Sequence, residues 1–334
     1  MFIIMQAGVY FMNVESFGDI IKITLPTPFP VGDVNVFLVK GDRLTLIDAG
    51  VKTAASFEAF TSGLSEIGYT VGDIEQVVLT HHHPDHIGLL DFLPEGIEII
   101  GHRYCSGWLT KDEQLLQKNS VFFRDLFLQC GLPPEAEGML SKIQAPLKFS
   151  CENSTLTTAV QEGEELPGLP GWRVFETPGH AQSHLAFFRE QDGSLLAGDH
   201  ILATISSNPL LEPPLIPGTD RPRPQLQYND SLRKMMELPV DTVYTGHGKE
   251  VRNIVPLITR RLERQHERAL SVKEMLKEKP LTAFEVCQRL FPAVYKKELG
   301  LTMSETVGQL DYLLHIGEAG AEQNEQGVSL YFPL

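Results

Sequence analysis

A chain of 334 residues with 42% apolar content is long enough to bury a sizeable core. Its formal net charge of -15 argues against a protein that grips nucleic acid by broad phosphate neutralisation, which needs clustered Lys and Arg. Four scattered cysteines, Cys105, Cys130, Cys151 and Cys287, have no C-x-x-C spacing, so neither a disulfide framework nor a cysteine zinc site is indicated and a reducing cytoplasm fits.

Residues 1–12 are apolar but lack the leading basic residues and the small-residue cleavage pattern of a secretory signal, which leaves Met1 and Met12 as alternative starts. No apolar run reaches membrane-spanning length, so the expectation is a soluble cytoplasmic protein. Residues 34–39 and 44–47 read as strands across the hairpin signal Lys40-Gly41-Asp42-Arg43, and the second ends at Asp48-Ala49-Gly50. A helix over 53–67 follows, then a strand over 74–79.

That strand runs into Thr80-His81-His82-His83-Pro84-Asp85-His86. Strand side chains alternate, so His81 and His83 leave on one face while His82 points away, toward packing or a supporting hydrogen bond. Imidazole nitrogen and carboxylate oxygen are the ligands borderline divalent metals prefer, and four of them fall within six positions.

Next come a strand over 97–100 and a long helical region over 103–130. Its Trp108, Phe122, Phe123, Phe127 and Leu128 are read as core in preference to a substrate pocket. Short strands follow over 173–176, 185–189 and 194–197, the last two joined across Gln191-Asp192-Gly193, with a fourth over 240–244. Three of them deliver polar residues at their ends, in Thr177-Pro178-Gly179-His180, Gly198-Asp199-His200 and Thr245-Gly246-His247-Gly248. The proline-rich stretch 206–228 is expected to be a lid or binding loop beside them. Its Arg221 and Arg223 read as solvated surface residues, with a clamp on a substrate carboxylate or phosphate as the alternative.

After Val251 the pattern changes to a charged helix over 253–278, then two capping boxes, Thr282-Ala283-Phe284-Glu285 and Thr302-Met303-Ser304-Glu305, and a hairpin over 319–334 around Asn324. Three helices and a hairpin predict a winged-helix module, dividing the chain into 1–251 and 252–334. The helix in the recognition position, 303–317, carries Glu305 and Asp311 and no Lys or Arg. A homodimer interface or a lid therefore ranks above DNA binding.

The strand-end residues together supply His81, His83 and His180 for one metal, Asp85, His86 and His247 for a second, and Asp199 to bridge them. This T-H-x-H-x-D-H pattern at 80–86, with the later His, Asp and His in the same order, resembles the metallo-β-lactamase superfamily over residues 20–250. The resemblance implies an α/β fold, a four-layer αβ/βα sandwich with two divalent ions at one edge of two facing sheets. Zn2+ is the foremost candidate, with Mn2+ or Fe2+ as alternatives. It also implies a metal-bridging hydroxide that attacks a small, anionic or carbonyl-bearing ester, thioester or lactone, with Asp85 orienting the nucleophile or carrying its proton.

Asp199 and His184 join Asp85 as catalytic candidates, and His200 is a further candidate for proton transfer. For both histidines the competing reading is an imidazole satisfied by its local network. Asp48 reads equally as a buttress to the ligands or a turn-forming residue. The lactamase-like domain followed by a winged helix also resembles a lactamase-β-like endoribonuclease group, with Arg260, Arg261, Arg264 and Arg268 the similar part. A mononuclear iron persulfide dioxygenase is the remaining alternative, disfavoured by the intact second ligand set.

Overall fold

The structure is a computed structural model that describes residues 13–133, 138, 141–216 and 218–334. The alternative starts at Met1 and Met12, and Pro217 of the proline-rich stretch, lie outside the described residues. The first half contains β1 (Val14–Phe17), β2 (Ile20–Leu25), β3 (Val34–Lys40), β4 (Leu44–Ile47), α1 (Ala54–Glu66), β5 (Gln76–Val78), α2 (Pro84–Ile87), β6 (Glu98–Gly101), α3 (Ser106–Leu109), α4 (Glu113–Gln129), α5 (Ser141–Gln144) and β7 (Thr158–Ala159). Its strands form one seven-stranded sheet in chain order, antiparallel from β1 to β4 and parallel from β4 to β7.

The second sheet takes β8 (Trp172–Glu176), β9 (Leu185–Arg189) and β10 (Ser194–Gly198), then α6 (Pro224–Met236) intervenes before β11 (Thr242–Thr245) and β12 (Val251–Arg252). Its order is β12-β11-β10-β9-β8. The chain then forms α7 (Ile254–Leu276), α8 (Ala283–Leu290), α9 (Leu299–His315) and the hairpin β13 (Ala319–Gln323) with β14 (Ser329–Pro333).

Period-two alternation decides the layering. Phe37, Val39, Ile47 and Val78 of the first sheet meet Trp172, Val174, Leu185, Phe187 and Leu196 of the second in one buried cluster. The intervening residues Val36, Leu38, Leu46 and Val77 turn outward onto Phe60 and Leu64 of α1. Ala186, Phe188, Leu195 and Ala197 turn outward onto Tyr228 and Leu232 of α6 and Ile254 and Ile258 of α7. Helix, sheet, sheet, helix is a mixed α/β sandwich, in agreement with the fold the sequence predicts. Among the described residues no helix is long and apolar enough to cross a membrane.

A fourth cluster joins Phe127 of α4 and Leu211 to Ala269, Val272 and Leu276 of α7, Phe284 of α8, and Met303, Val307 and Leu310 of α9. Helix α7 is therefore common property: its first turns cover the second sheet and its later turns core the C-terminal helices.

Several expectations need correction. The helical region 103–130 is interrupted after α3, where Lys111 takes a left-handed φ of 48°, and α4 restarts behind Asp112, whose carboxylate accepts from the Leu115 amide at 2.7 Å. Its Trp108 is not simply core: it stacks on His82 with ring centroids 4.5 Å apart and planes 8° from parallel. The Thr282 capping box forms, with reciprocal bonds to Glu285 of 3.1 and 2.9 Å. The Thr302 one does not, because α9 has already begun at Leu299 and the Thr302 hydroxyl bonds back to the Glu298 carbonyl at 2.9 Å. The irregular proline-rich stretch stops at 223, since Pro224 opens α6 in a position where no amide hydrogen is needed. Arg221 is neither solvated nor a substrate clamp; it donates twice to Asp311 of α9, both at 2.7 Å.

Candidate metal centre

The centre lies where β5, β8, β10 and β11 end. Beyond β5 the chain passes Thr80 and His81 and reaches His83, the extended residue that precedes α2. Pro84 at the first helical position presets the turn, so Asp85 and His86 wind back beside His81, whose ring centroid lies 4.1 Å from that of His86. The β8 to β9 loop brings His180, the end of β10 brings Asp199, and the end of β11 brings His247. All are buried except His83, which is partly so.

Three ligand-type groups result, each with donor atoms within 4.8 Å of one another: His81, His83 and His180; His81, His86 and Asp199; and Asp85, His86 and His247. Asp199 touches both halves, with Oδ1 3.4 Å from His86 Nε2 and Oδ2 3.5 Å from His180 Nε2 and 3.4 Å from His247 Nε2. His247 Nε2 is also 3.4 Å from Asp85 Oδ2. Separations near this value are the edges of a tetrahedron with bonds of about 2.0–2.1 Å, the zinc to nitrogen or oxygen distance.

The outer nitrogens fix which ring atom faces inward. His86 Nδ1 donates to Asp48 Oδ2 at 2.8 Å, and His247 Nδ1 donates to the Asp33 carbonyl at 2.8 Å. His180 Nδ1 donates to the Asn208 carbonyl at 3.0 Å. The Thr80 hydroxyl donates to Asp48 Oδ2 at 2.8 Å, and its oxygen is left to accept from His81 Nδ1 at 2.9 Å. His81, His86 and His247 thus turn Nε2 toward the centre, while His180 Nε2 faces it beside His83 Nδ1, 2.9 Å away. His81 Nε2, His86 Nε2, His247 Nε2 and Asp199 Oδ1 are buried with no protein hydrogen-bond partner. Buried polar atoms left so are costly unless something else satisfies them, and a divalent cation fits this donor set.

Charge is distributed to match. Burial, reinforced by neighbouring imidazoles, holds His81 and His83 well below the usual histidine range, in the neutral form that ligates. For His247, burial works against the charged form, but Asp199 and Asp85 outweigh it and raise the group to about 10. His86 rises likewise, Asp48 and Asp199 overcoming its burial.

The other candidates have supporting places. His82 Nδ1 meets Ser183 Oγ at 2.7 Å behind the site, so its outward turn is as expected. Asp48 is the buttress, not only a turn residue: with φ of 60° it also accepts from the Thr80 amide at 2.8 Å. His184 has both ring nitrogens engaged, Nδ1 with Thr177 Oγ1 at 2.8 Å and Nε2 accepting from the Asp199 amide at 3.2 Å. These contacts favour the competing reading of an imidazole satisfied by its local network, one that holds the backbone at Asp199. His200 is fully buried, edge-on to Tyr228 at 5.3 Å, where burial lowers it to about 3, and it lies in the core behind Asp199.

Sequence reasoning missed Asn35, whose side-chain amide donates to the Thr245 and Gly248 carbonyls, both at 2.9 Å, and so shapes the turn that carries His247. It also missed Ser207, whose hydroxyl lies 2.8 Å from His180 Nδ1. Gly246 is required by close approach, because a Cβ there would fall 2.2 Å from Asp199 Oδ1.

Known proteins are similar to this chain in sequence and fold. The Probable metallo-hydrolase YqjP of Bacillus subtilis (strain 168) is 45% identical over 314 residues, 94% of this chain and 97% of its own. A metallo-beta-lactamase family protein from Thermus thermophilus superposes with a TM-score of 0.79 at 27% identity, covering 95% of this chain and 99% of that one. A beta-lactamase domain protein from Burkholderia ambifaria, 22% identical, shares the fold with a TM-score of 0.80 over 97% and 95% of the two chains. These matches include the C-terminal helices. The family profile of the metallo-beta-lactamase superfamily matches residues 29–247, and on that evidence the chain belongs to this superfamily and is a hydrolytic metalloenzyme.

Proposed function

We propose that the protein is a dinuclear metal-dependent hydrolase of a small ester, thioester or lactone. In this reading His81, His83 and His180 hold one divalent cation, Asp85, His86 and His247 hold a second, and Asp199 serves both. The observation that carries it is the set of inward, unpartnered Nε2 atoms whose tautomers are fixed from behind. Zinc suits nitrogen and oxygen donors at these separations. When bound, such ions supply an activated water at neutral pH and polarise the substrate carbonyl.

The chain's own residues do the rest. Asp85, beside His247, is placed to orient the attacking water and accept its proton. Asp48 and Thr80 keep His86 and His81 from rotating, and His184 fixes the backbone at Asp199. Two divalent cations outweigh Asp85 and Asp199 in charge, so an acidic protein presents a locally positive centre that favours anionic or carbonyl-bearing substrates.

The C-terminal elements after residue 252 read as a winged-helix-like unit, supported by three helices, the hairpin and the bridge from Leu281 to Tyr331. Nucleic-acid binding draws no support from them. Most of α9 is buried, Arg261 is buried against the Leu202 and Ile205 carbonyls, and Arg268 pairs with Glu305, which leaves Arg260 and Arg264 exposed on α7.

The test is metal analysis combined with a panel of thioesters, lactones, bis-p-nitrophenyl phosphate and single-stranded RNA. Two zinc or manganese per chain with ester, thioester or lactone turnover is the expected result. Turnover of RNA alone, abolished by His81→Ala, would make it a ribonuclease. One iron with oxygen consumption would make it a dioxygenase.

A further inference from the structure

The supports of the ligand histidines do not all come from the same part of the molecule. Thr80, Asp48 and Asp33, which fix His81, His86 and His247, stand on strands and turns of the first sheet. His180 is fixed instead by the segment after β10, through the Asn208 carbonyl at 3.0 Å and the buried Ser207 hydroxyl at 2.8 Å.

Among the described residues that segment has no helix or strand of its own between β10 and α6, and a free stretch of this kind would not hold an imidazole to a few tenths of an ångström. It is fastened to α9. Asn208 Nδ2 donates to the Leu301 carbonyl at 3.1 Å, and the Leu211 amide donates to the buried Ser304 Oγ at 3.2 Å. Further along, Arg221 grips Asp311 with two bonds of 2.7 Å. Leu211 itself is buried in the C-terminal cluster. At the start of the segment Arg261 of α7 holds the carbonyls of Leu202 and Ile205. Helices α7 and α9 thus pin the segment at both ends and in the middle.

We propose that α9 is a positioning component of the metal centre, acting through Ser207 and Asn208 on His180 alone. The inference rests on the reading of His180 as a ligand. It assigns the C-terminal unit a role in setting the affinity and geometry of one cation site, the one served by His81, His83 and His180, and not of the other. Bidentate Arg to carboxylate pairs are directional, and removing a partner of a buried one leaves an uncompensated charge, so the Arg221 to Asp311 clasp fixes the far end of the segment against α9.

The test uses full-length protein stripped of metal and titrated with Zn2+ against a chromophoric chelator, with Co2+ absorption reporting ligand geometry and thermal melting reporting the fold. Wild type should show two binding steps. Ser207→Ala should weaken one step by about 10 to 100-fold, the usual effect of losing a group that orients a ligand histidine, and Ser207→Thr, which keeps the hydroxyl, should recover it. Ser304→Ala and Arg221→Ala touch no ligand, yet should weaken that same step by roughly three- to tenfold and shift the Co2+ spectrum while leaving the other step unchanged. If Arg221→Ala does not fold, Ser304→Ala decides. Two steps in the variants identical to wild type, or both steps weakened together, would overturn the inference while leaving the site intact. Wild-type protein that takes up no ion would overturn the ligand assignment and this inference with it.

Discussion

Asp48 and His86 share a 2.8 Å hydrogen bond through the same carboxylate oxygen that takes the Thr80 hydroxyl, so one side chain sets the orientation of two imidazoles. Asp48→Asn puts an amide donor or a weaker acceptor where both neighbours donate. The expected outcome is zinc affinity lower by about 10 to 100-fold with the circular dichroism spectrum unchanged. Wild-type affinity in this variant would remove Asp48 from the support of the centre.

Gly246→Ala places a methyl group against Asp199 Oδ1, 2.2 Å away before relaxation, with the Gly198 carbonyl carbon at 3.0 Å behind it. The carboxylate has to swing off its position between His86 and His247. After dialysis, metal analysis should find less than the wild-type content, and hydrolysis should fall with it.

Cation uptake should be coupled to proton release. Metal-free His247, held near 10 by Asp199 and Asp85 against its burial, and His86, raised by Asp48 and Asp199, both carry protons at pH 7 that a cation must displace. Apparent affinity should therefore climb as pH rises toward 10. Calorimetric titrations in buffers of different ionisation enthalpy measure this directly, and an uptake with no proton release would contradict it.

Glu212 is buried, with Oε1 accepting from the Gln182 amide at 2.7 Å, and desolvation raises its carboxyl from 4.5 to about 7. A carboxyl whose folded value is raised binds its proton more tightly in the folded chain. Its contribution to stability is present below pH 4.5 and is lost as pH climbs through 7. Glu212→Gln keeps an acceptor for Gln182 and removes the charge. The variant should melt higher than wild type at pH 8, by up to about 3 kcal/mol of stability, and match it at pH 4.5. Equal melting at pH 8 would refute the raised value.

Much of this was legible in the chain because apolar strand runs and clustered histidines are local signals. The run from Thr80 to His86 announces ligands within one turn, and β3, β9 and β10 stand out as strands, but they are apolar on both faces, so which face meets which layer is set only by the assembled fold. The supports were less visible. Asn35 serves the turn of His247 from over 200 positions away, and Ser207 is an ordinary loop serine until its segment is folded back onto His180. The Thr302 box misled because the same Thr and Glu spacing arises inside a helix whose start was set by earlier residues. Arg221 misled because its partner, Asp311, lies 90 positions further on and reads in the sequence only as a mark of acidity on the helix in the recognition position, when it is buried as half of an ion pair.

Because α7 contributes Ile254 and Ile258 to one core and Val272 and Leu276 to another, neither half can melt without stripping the other of its cover. Scanning calorimetry should accordingly record a single cooperative endotherm for the whole chain. A truncation ending at residue 251 should aggregate rather than survive as an independent enzyme.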